Sequence, residues 1–430
     1  MNEAIDILTS LGIPGDKIEH YYVDNEDDIL SFYVELKDLR PYCPSCGCSN
    51  VRIKGYYDTK IRHSIIVHKN TYVFIRNRRY VCSRCGKSFK QEMNIANKGS
   101  SISNSTKLAI VDDLKSKKTI LAIAKERNVS TTTVRKILDE VVRYQPQLPF
   151  PEVICIDEFC YRHSAQKEGK YPAVISDPFT GDIIDIVFSR WKKVLIDYFN
   201  KVKTKDRFNV KYFISDMNET YRQIKKIFFK DAIHIIDRFH LIKAFNEAIT
   251  GVRTRILKQE IYYKDEEYRF LKKNWKIFLM NREKTDKKYY ANQYGVITPL
   301  TVKIDNCLVK YKELHYVYWT KQEFLKDTKR LLLFKKAEEI VNFYTDKLID
   351  NQINEIRLVG ITFQNWKEEI INGLIKNPYG KRLTNAMAES NNNYIQTLID
   401  SSYGLPVFER MKKRVLYINR NREKEPIEKD

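Results

Sequence analysis

Three short apolar runs in the middle of the chain each end on an aspartate. They read VICID, YFISD and IHIID, and their last residues are Asp157, Asp216 and Asp237. Apolar runs of this length predict buried strands, and the strand ends of an open α/β sheet are where ligands bind. A single aspartate at such an end could simply cap the next helix. Three strand-end aspartates in one region require a further explanation.

The order of elements around these aspartates predicts a mixed sheet flanked by helices. A strand ending at Asp157 is followed by YPAVISD, the turn signal DPFTGD and IIDIVFS, which predict three antiparallel strands. Helical segments then alternate with the strands that end at Asp216 and Asp237, as in crossover connections. This order is the ribonuclease H-like pattern, within an α/β fold. From about residue 251 to 376 the chain is rich in Lys, Tyr and Leu, and we expect a helical insertion without strands.

Two C-x-x-C pairs near the N-terminus predict a metal site. Cys43 and Cys46 form the first pair, Cys82 and Cys85 the second, and a glycine follows each pair. Four thiolates can complete a tetrahedral zinc site, so we expect a structural Zn²⁺ in an N-terminal zinc-binding module. The spacing between the pairs is longer than in common structural zinc sites, which leaves unliganded thiols as the alternative. Cys48 is a spare or an alternate ligand.

Residues 103–143 have a helical pattern with three starts. The pattern predicts one helix after caps at Ser103–Ser105, a short helix from Thr119 through Arg127, and, after a turn at Asn128–Val129, a third helix capped by Ser130. This pattern resembles a helix-turn-helix, in which the third helix enters the major groove of DNA. Its apolar core positions are Ile123, Ala124, Val129, Val134 and Ile137, and the residues left to contact DNA are Thr131, Thr132, Thr133, Arg135 and Lys136. The alternative is a small helical linker bundle.

The chain is strongly basic, with 76 Lys and Arg against 55 Asp and Glu and a formal net charge of +21. Such a surface attracts a polyanion, and nucleic acid is the partner we expect; a basic protein without a nucleic-acid partner is the alternative. No apolar stretch is long enough to span a bilayer, and the N-terminus lacks the pattern of a signal peptide. We therefore expect a cytoplasmic, nucleoid-associated protein.

The carboxylates at the predicted sheet edge suggest a cation site. Asp157 and Asp216 should end adjacent central strands, and two carboxylates side by side repel each other unless a cation lies between them. Hard oxygen ligands suit Mg²⁺ or Mn²⁺. Glu389, in the segment AMAESNNN, is the best third ligand because small residues beside it permit close approach to a sheet. Trp191 follows the third strand, and we expect it in the core rather than on flanking DNA.

Several blocks of the sequence together resemble one family. They are CIDEF, the segment from FISDMNETY to DRFHLIKAF, Arg253 and Arg255, and AESNNNYIQTLIDSSYGLPVFERMKKRVL. With the zinc and helix-turn-helix modules, they resemble the bacterial insertion-sequence DDE transposases of the ISL-three family. The resemblance covers nearly the whole chain, although residues 251–376 match in layout only.

The resemblance implies an enzyme that binds the terminal inverted repeats of its insertion sequence and catalyses metal-dependent DNA cleavage and strand transfer. The catalytic triad would be Asp157, Asp216 and Glu389, holding two Mg²⁺ or Mn²⁺ ions, with Asp157 bridging both. Asp237 and His240 match a D-x-x-H feature with a structural or DNA-positioning role, in which His240 would hydrogen-bond Asp237. The partners would be double-stranded DNA, as repeats and as target, and a second copy in a homodimer.

The predicted domains follow from these patterns. They are a zinc-binding domain (1–100), a helix-turn-helix (101–148), the first part of the catalytic core (149–250), a helical insertion (251–376), and the last part of the core with a basic tail (377–430). Two alternatives remain for function. One is a catalytically silent, sequence-specific DNA-binding regulator derived from a transposase. The other is a structure-specific nuclease.

Overall fold

A computed structural model of the chain describes residues 3–91, 95–97, 99–143, 148–161, 167–259, 265–291, 295–401 and 407–421. The chain divides into two compact units, one of residues 1–147 with 395–430 and one of residues 148–394. Residues 144–147, and residues 402–406 of the family-like segment AESNNNYIQTLIDSSYGLPVFERMKKRVL, lie outside the described residues. The division into five predicted domains stays a prediction.

The first unit begins with a helix and a five-stranded sheet. The elements are α1 (Glu3–Ser10), β1 (Ile18–Asn25), β2 (Ile29–Leu36), β3 (Val51–Ile66), β4 (Lys69–Cys82) and β5 (Ser88–Lys90). The strand order is β1-β2-β4-β3, with β5 pairing on β4. Alternating residues of the strands, such as Phe32, Val73 and Ile75, are buried against Leu8 and Leu11 near α1, as period-2 patterning requires.

Three helices follow the sheet: α2 (Asn104–Asp113), α3 (Ile120–Glu126) and α4 (Thr131–Arg143). Their starts are confirmed as predicted, because the side chains of Ser103, Thr119 and Ser130 each accept a hydrogen bond from a backbone amide of the first turn. Asn128 has a φ of 52° and makes the turn between α3 and α4. The predicted core is also confirmed, since Ile123, Ala124, Val134 and Ile137 are buried and Val129 packs against them.

The second unit contains a five-stranded mixed sheet. Its elements are β6 (Val153–Glu158), β7 (Ala173–Ser176), β8 (Ile183–Val187), α5 (Lys192–Lys201), α6 (Thr204–Asn209), β9 (Tyr212–Ser215), α7 (Glu219–Phe228), β10 (Ile233–Ile236) and α8 (Arg238–Gln259). The order is β10-β9-β6-β7-β8. Strands β6, β7 and β8 are antiparallel, and β9 and β10 join them in parallel, so the predicted mixed α/β architecture is confirmed.

The segment after α8 is mostly helical. It comprises α9 (Glu266–Lys273), β11 (Tyr289–Ala291), β12 (Ile297–Pro299), α10 (Leu300–Lys310), α11 (Lys312–Asp327), α12 (Phe334–Ile349), α13 (Asn354–Asn365) and α14 (Lys367–Leu374). The expectation that this segment contains no strand is wrong, because β11 and β12 pair as a short antiparallel hairpin. Three residues per strand are too few to show a period-2 pattern in the sequence.

Two further helices complete the described chain, α15 (Ala386–Ser401) and α16 (Phe408–Asn421). Within the first unit, α16 packs on the trihelical core through Tyr417. Its Arg414 is fully buried and donates hydrogen bonds to the carbonyl oxygens of Ser116 and Lys118, at 3.2 and 2.5 Å. None of the helices in the described ranges is long and apolar enough to cross a membrane.

Candidate active site

Asp157 lies near the end of β6, the central strand of the second unit's sheet. Its Oδ1 accepts a hydrogen bond from the backbone amide of Glu158 at 2.9 Å, and its Oδ2 accepts one from Nδ2 of Asn392 at 2.9 Å. Burial raises the pKa of Asp157 to about 6, and the negative charges of Glu158 and Glu389 act in the same direction. A carboxyl group in this environment favours a nearby cation.

Asp216 directly follows β9, the parallel neighbour of β6, so the predicted adjacency of the two strands is observed. Burial, followed by the charges of Glu158 and Asp157, raises the pKa of Asp216 to about 7. Lys243 and Arg190 oppose this shift. Oδ1 of Asp216 is buried without a hydrogen-bond partner among the described residues. An unsatisfied buried carboxylate oxygen is costly, and a bound cation would satisfy it.

Glu389 lies in the first turn of α15. Ala388 beside it is fully buried against Cys155 and Ile214, so the small residue does allow the helix to approach the sheet closely. Burial raises the pKa of Glu389, and the charge of Asp237 adds to this effect, while Lys243 opposes it.

These carboxylates surround one buried thiol. Burial raises the pKa of Cys155, and the charges of Asp157, Asp237, Asp216 and Glu389 raise it further. The oxygens of Asp157, Asp216 and Glu389 do not all lie within 4.8 Å of one another, since the four cysteines are the one group of three or more metal-ligating side chains that meets this distance in the described ranges. The donor set is nevertheless all oxygen and mutually repulsive, which fits Mg²⁺ or Mn²⁺.

Sequence reasoning missed three residues of this site. Glu158 accepts a hydrogen bond from the hydroxyl of Tyr221 at 2.7 Å and pairs with Arg190. Arg190 also lies over the ring of Tyr171, 4.8 Å from its centroid. The adjacent acidic pair in the CIDEF block was the available signal for Glu158. Asn392 lies in the NNN run beside Glu389, but nothing in the sequence shows which asparagine faces Asp157.

Asp237 and His240 do not pair through their side chains in the way that the D-x-x-H feature predicts. Oδ1 of Asp237 accepts from the amide of Phe239 at 3.0 Å, and Oδ2 accepts from the amide of Asn385, just before α15, at 2.6 Å. Nε2 of His240 is buried with no hydrogen-bond partner in the described part of the chain. Asp237 therefore anchors the start of the helix that carries Glu389, which agrees with a structural role.

Trp191 is 48% exposed, so the prediction that it lies in the core is wrong. It precedes α5 as the N-cap residue, and the apolar positions of that helix that enter the core are Leu195 and Phe199. The sequence alone does not show whether an aromatic residue next to the start of a helix faces the core or the solvent.

The four predicted zinc ligands come together at one end of the β3–β4 hairpin. The sulfur atoms of Cys43, Cys46, Cys82 and Cys85 lie within 4.8 Å of one another, and Cys48 is outside the group. Backbone amides of Cys85 and Arg84 point at the Cys82 sulfur and lower the pKa of Cys82 to about 6, which favours the thiolate that binds zinc. This arrangement is that of a zinc ribbon.

The residues predicted to contact DNA lie at the start of α4. Thr132, Arg135 and Lys136 are exposed, and Thr131 and Thr133 are half-buried. Ser130 and Thr133 are joined by a hydrogen bond of 2.9 Å between their hydroxyls, which belongs to the helix cap. One face of α4 is thus free of the trihelical core.

The class of this chain is shown by two family models together with the four-cysteine cluster: it is a DDE transposase with a zinc ribbon, an enzyme class that cleaves nucleic acid. The chain belongs to the ISL3 family of insertion-sequence transposases. The family model described as transposase matches residues 154–415, and a second model, described as zinc-finger of transposase IS204/IS1001/IS1096/IS1165, matches residues 40–85. No curated protein matches the chain.

Proposed function

We propose that this transposase binds the terminal inverted repeats of its own insertion sequence and uses Asp157, Asp216 and Glu389 to cleave and join DNA with two Mg²⁺ or Mn²⁺ ions. The observation that carries the proposal is the buried, unpartnered Oδ1 of Asp216, whose pKa is raised by burial and by the charges of Glu158 and Asp157. A purely structural sheet edge would place a donor or a cationic side chain there.

The residues have separate tasks in this mechanism. When bound, the ions activate a water molecule or a DNA 3′-hydroxyl and stabilise the leaving oxygen of the phosphodiester. Asn392 and the amide of Glu158 hold the two oxygens of Asp157 in place. Asp237 fixes the start of α15 and so the position of Glu389. Arg190 and Tyr221 hold the side chain of Glu158 by an ion pair and a hydrogen bond.

The same proposal assigns a ribonuclease H-like core and a helix-turn-helix. The strand order β10-β9-β6-β7-β8, with three antiparallel strands followed by parallel crossovers, supports the first assignment. The tight turn at Asn128 and the exposed start of α4, with Arg135 and Lys136, support the second. Because two ends of an element must be cut and joined, we also propose that the active form is a homodimer.

The test is a cleavage assay with purified protein, Mg²⁺ or Mn²⁺, and DNA that carries both flanks of its own gene. We expect metal-dependent cuts at the flank ends, no cuts in Glu389→Gln, and no cuts in a scrambled flank. Flank binding should survive in Glu389→Gln, since its zinc ribbon and α4 are intact. Binding without cleavage under either metal would indicate a DNA-binding regulator, and cuts that ignore the flank sequence would indicate a structure-specific nuclease.

A further inference from the structure

A groove of about 890 Å³ follows one face of α8 in the second unit. Lys243, Glu247, Thr250, Thr254 and Lys258 line it at spacings of three or four residues, so they form one face of the helix. Trp275, which follows α9 in the chain, also lines the groove. At 1.5 Å per residue, the distance along α8 from Lys243 to Lys258 is about 22 Å.

One end of this groove lies at the candidate active site. Asp237 directly precedes α8, and its Oδ2 accepts a hydrogen bond from the amide of Asn385, just before α15, so the first turns of α8 lie beside the start of the helix that carries Glu389. Lys243, in the second turn of α8, is the groove residue at this end. The other end, at Lys258, is several helical turns away.

The charges of the groove are arranged for an anionic chain. Lys243 and Lys258 are exposed, and neither makes an ion pair within the described ranges. Glu247 is the single carboxylate among the groove residues. The hydroxyl groups of Thr250 and Thr254 each donate a hydrogen bond to a backbone carbonyl oxygen of the preceding turn. These two uncharged residues lie between the lysines of the groove.

Arg253 and Arg255, which both belong to the family-like blocks of the sequence, have different environments. Arg255 is bound by Glu313 at 2.7 Å and by Glu355 at 2.9 Å, so it ties α8 to α11 and α13. Arg253 makes no such pair in the described chain, its Nε is buried without a partner, and its guanidinium lies 5.7 Å from the ring centroid of Trp275. Arg255 is the arginine that lines the groove, and two carboxylates neutralise its charge. Arg253 does not line the groove itself, but its unneutralised guanidinium lies over Trp275, which does.

We propose that this groove, from Lys243 to Lys258, holds the sugar–phosphate backbone of the DNA that adjoins the cleaved phosphate. The inference rests on the proposed function for its starting point at Asp216 and Glu389. A span of about 22 Å is long enough to follow several consecutive phosphates of one DNA strand. The helical insertion thereby contributes directly to DNA binding rather than only to the architecture of the core.

Two substitutions that should change the affinity for DNA in opposite directions test the groove. Lys258→Gln removes a phosphate ligand, so the affinity for flank DNA should fall by about fivefold to tenfold near 0.1 M salt, and the slope of log affinity against log salt should decrease by about 0.9. Glu247→Gln removes a repulsive charge, so the affinity should rise. Misfolding cannot explain an increase. Lys272→Gln is the matched control, because Lys272 is an exposed lysine of α9 outside the groove. Equal affinities for all three variants and the original chain would overturn the inference.

A photo-crosslinker locates the DNA independently of affinity. A benzoylphenylalanine at Gln259, which lines the far end of the groove, should crosslink to flank DNA several nucleotides from the cut, and one at Lys272 should not. Normal flank cleavage without a crosslink at Gln259 would overturn the inference that the groove binds DNA, and it would leave the proposed function unaffected. A crosslink at Gln259 in a chain that does not cleave DNA with either metal would support DNA binding in the groove and would overturn the catalytic proposal.

Discussion

Nδ2 of Asn392 donates a hydrogen bond to Oδ2 of Asp157 at 2.9 Å, between residues that are 235 positions apart in the sequence. The same amide group reaches the carbonyl oxygen of Glu158 at 3.3 Å, while Oδ1 of Asp157 accepts from the amide of Glu158. Each oxygen of Asp157 therefore has a fixed donor. The central carboxylate is oriented before any substrate or ion arrives.

Asn392→Ala should lower the rate of flank cleavage by about tenfold to a hundredfold, because partners that orient metal ligands typically contribute that much. Flank binding should change by less than about twofold. The variant should also need more Mn²⁺ for half-maximal cleavage, which a merely structural residue would not cause. Gln396→Ala, one turn further along α15, is the control and should cleave normally. If Asn392→Ala matches the original chain at limiting Mn²⁺, Asn392 does not position Asp157.

Cys82→Ser should abolish zinc binding, whereas Cys48→Ser should retain one zinc ion per chain. Cys82 is one of the four clustered sulfurs, and two backbone amides favour its thiolate. Cys48 lies outside the cluster, and its sulfur is 4.0 Å from the carbonyl oxygen of Asn50. Elemental analysis of the purified variants measures the difference. A loss of zinc in Cys48→Ser would show that Cys48 is a ligand after all.

Gly373→Ala should lower the free energy of unfolding by about 1–3 kcal/mol, which is the usual effect of forcing an extra methyl group into a packed interior. A Cβ at this position would lie 2.4 Å from the carbonyl oxygen of Ile236, a backbone atom of β10 that cannot turn aside. Gly55→Ala is the control, since a Cβ there meets no atom within 4 Å. Urea unfolding followed by circular dichroism would compare the two, and an unchanged midpoint in Gly373→Ala would contradict the close packing of α14 on β10.

Local signals in the sequence were sufficient for most elements of the fold. Caps at Ser103 and Ser130 indicated the starts of two helices in the sequence, because a capping side chain bonds an amide two or three residues away. The strands that end near Asp157 and Asp216 could also be predicted, because each is an uninterrupted run of apolar residues that is buried in the fold. Their pairing followed from the order of strands and crossovers.

The parts that could not be predicted depend on distant contacts. Arg414 looks like one more phosphate-binding cation of a basic tail, yet it is buried against carbonyl oxygens of residues almost 300 positions earlier. Arg190 and Tyr221 meet at Glu158 only once the sheet has formed. Neither the hydrophobic periodicity nor the helix-capping residues of a sequence show which distant residues will come into contact. Arg190, Tyr221 and Glu158 are the residues of this kind that lie next to the predicted carboxylates.

His234→Gln should reduce the acid sensitivity of the second unit. His234 lies on β10, with Nε2 2.9 Å from the hydroxyl of Ser215 and its ring packed edge-on against Phe213 and Trp366. Burial, aided by the charge of Arg222, lowers the pKa of His234 from 6.5 to about 3. The folded chain therefore keeps this imidazole neutral at pH values where the unfolded chain protonates it. Its contribution to stability is complete above about pH 6.5 and is lost progressively as the pH falls toward 3.

At pH 5 this histidine should cost on the order of 2 kcal/mol of unfolding free energy relative to pH 7.5, since 6.5 − 5 is about 1.5 pH units at about 1.4 kcal/mol each. Urea unfolding at the two pH values measures it. His234→Gln is less stable at pH 7.5, because the contacts of the imidazole are lost, but its stability should fall less between pH 7.5 and pH 5 than that of the original chain. The exposed His315 provides the control, and His315→Gln should leave the pH dependence unchanged. An equal fall in His234→Gln and the original chain would mean that another group governs the acid sensitivity of this unit.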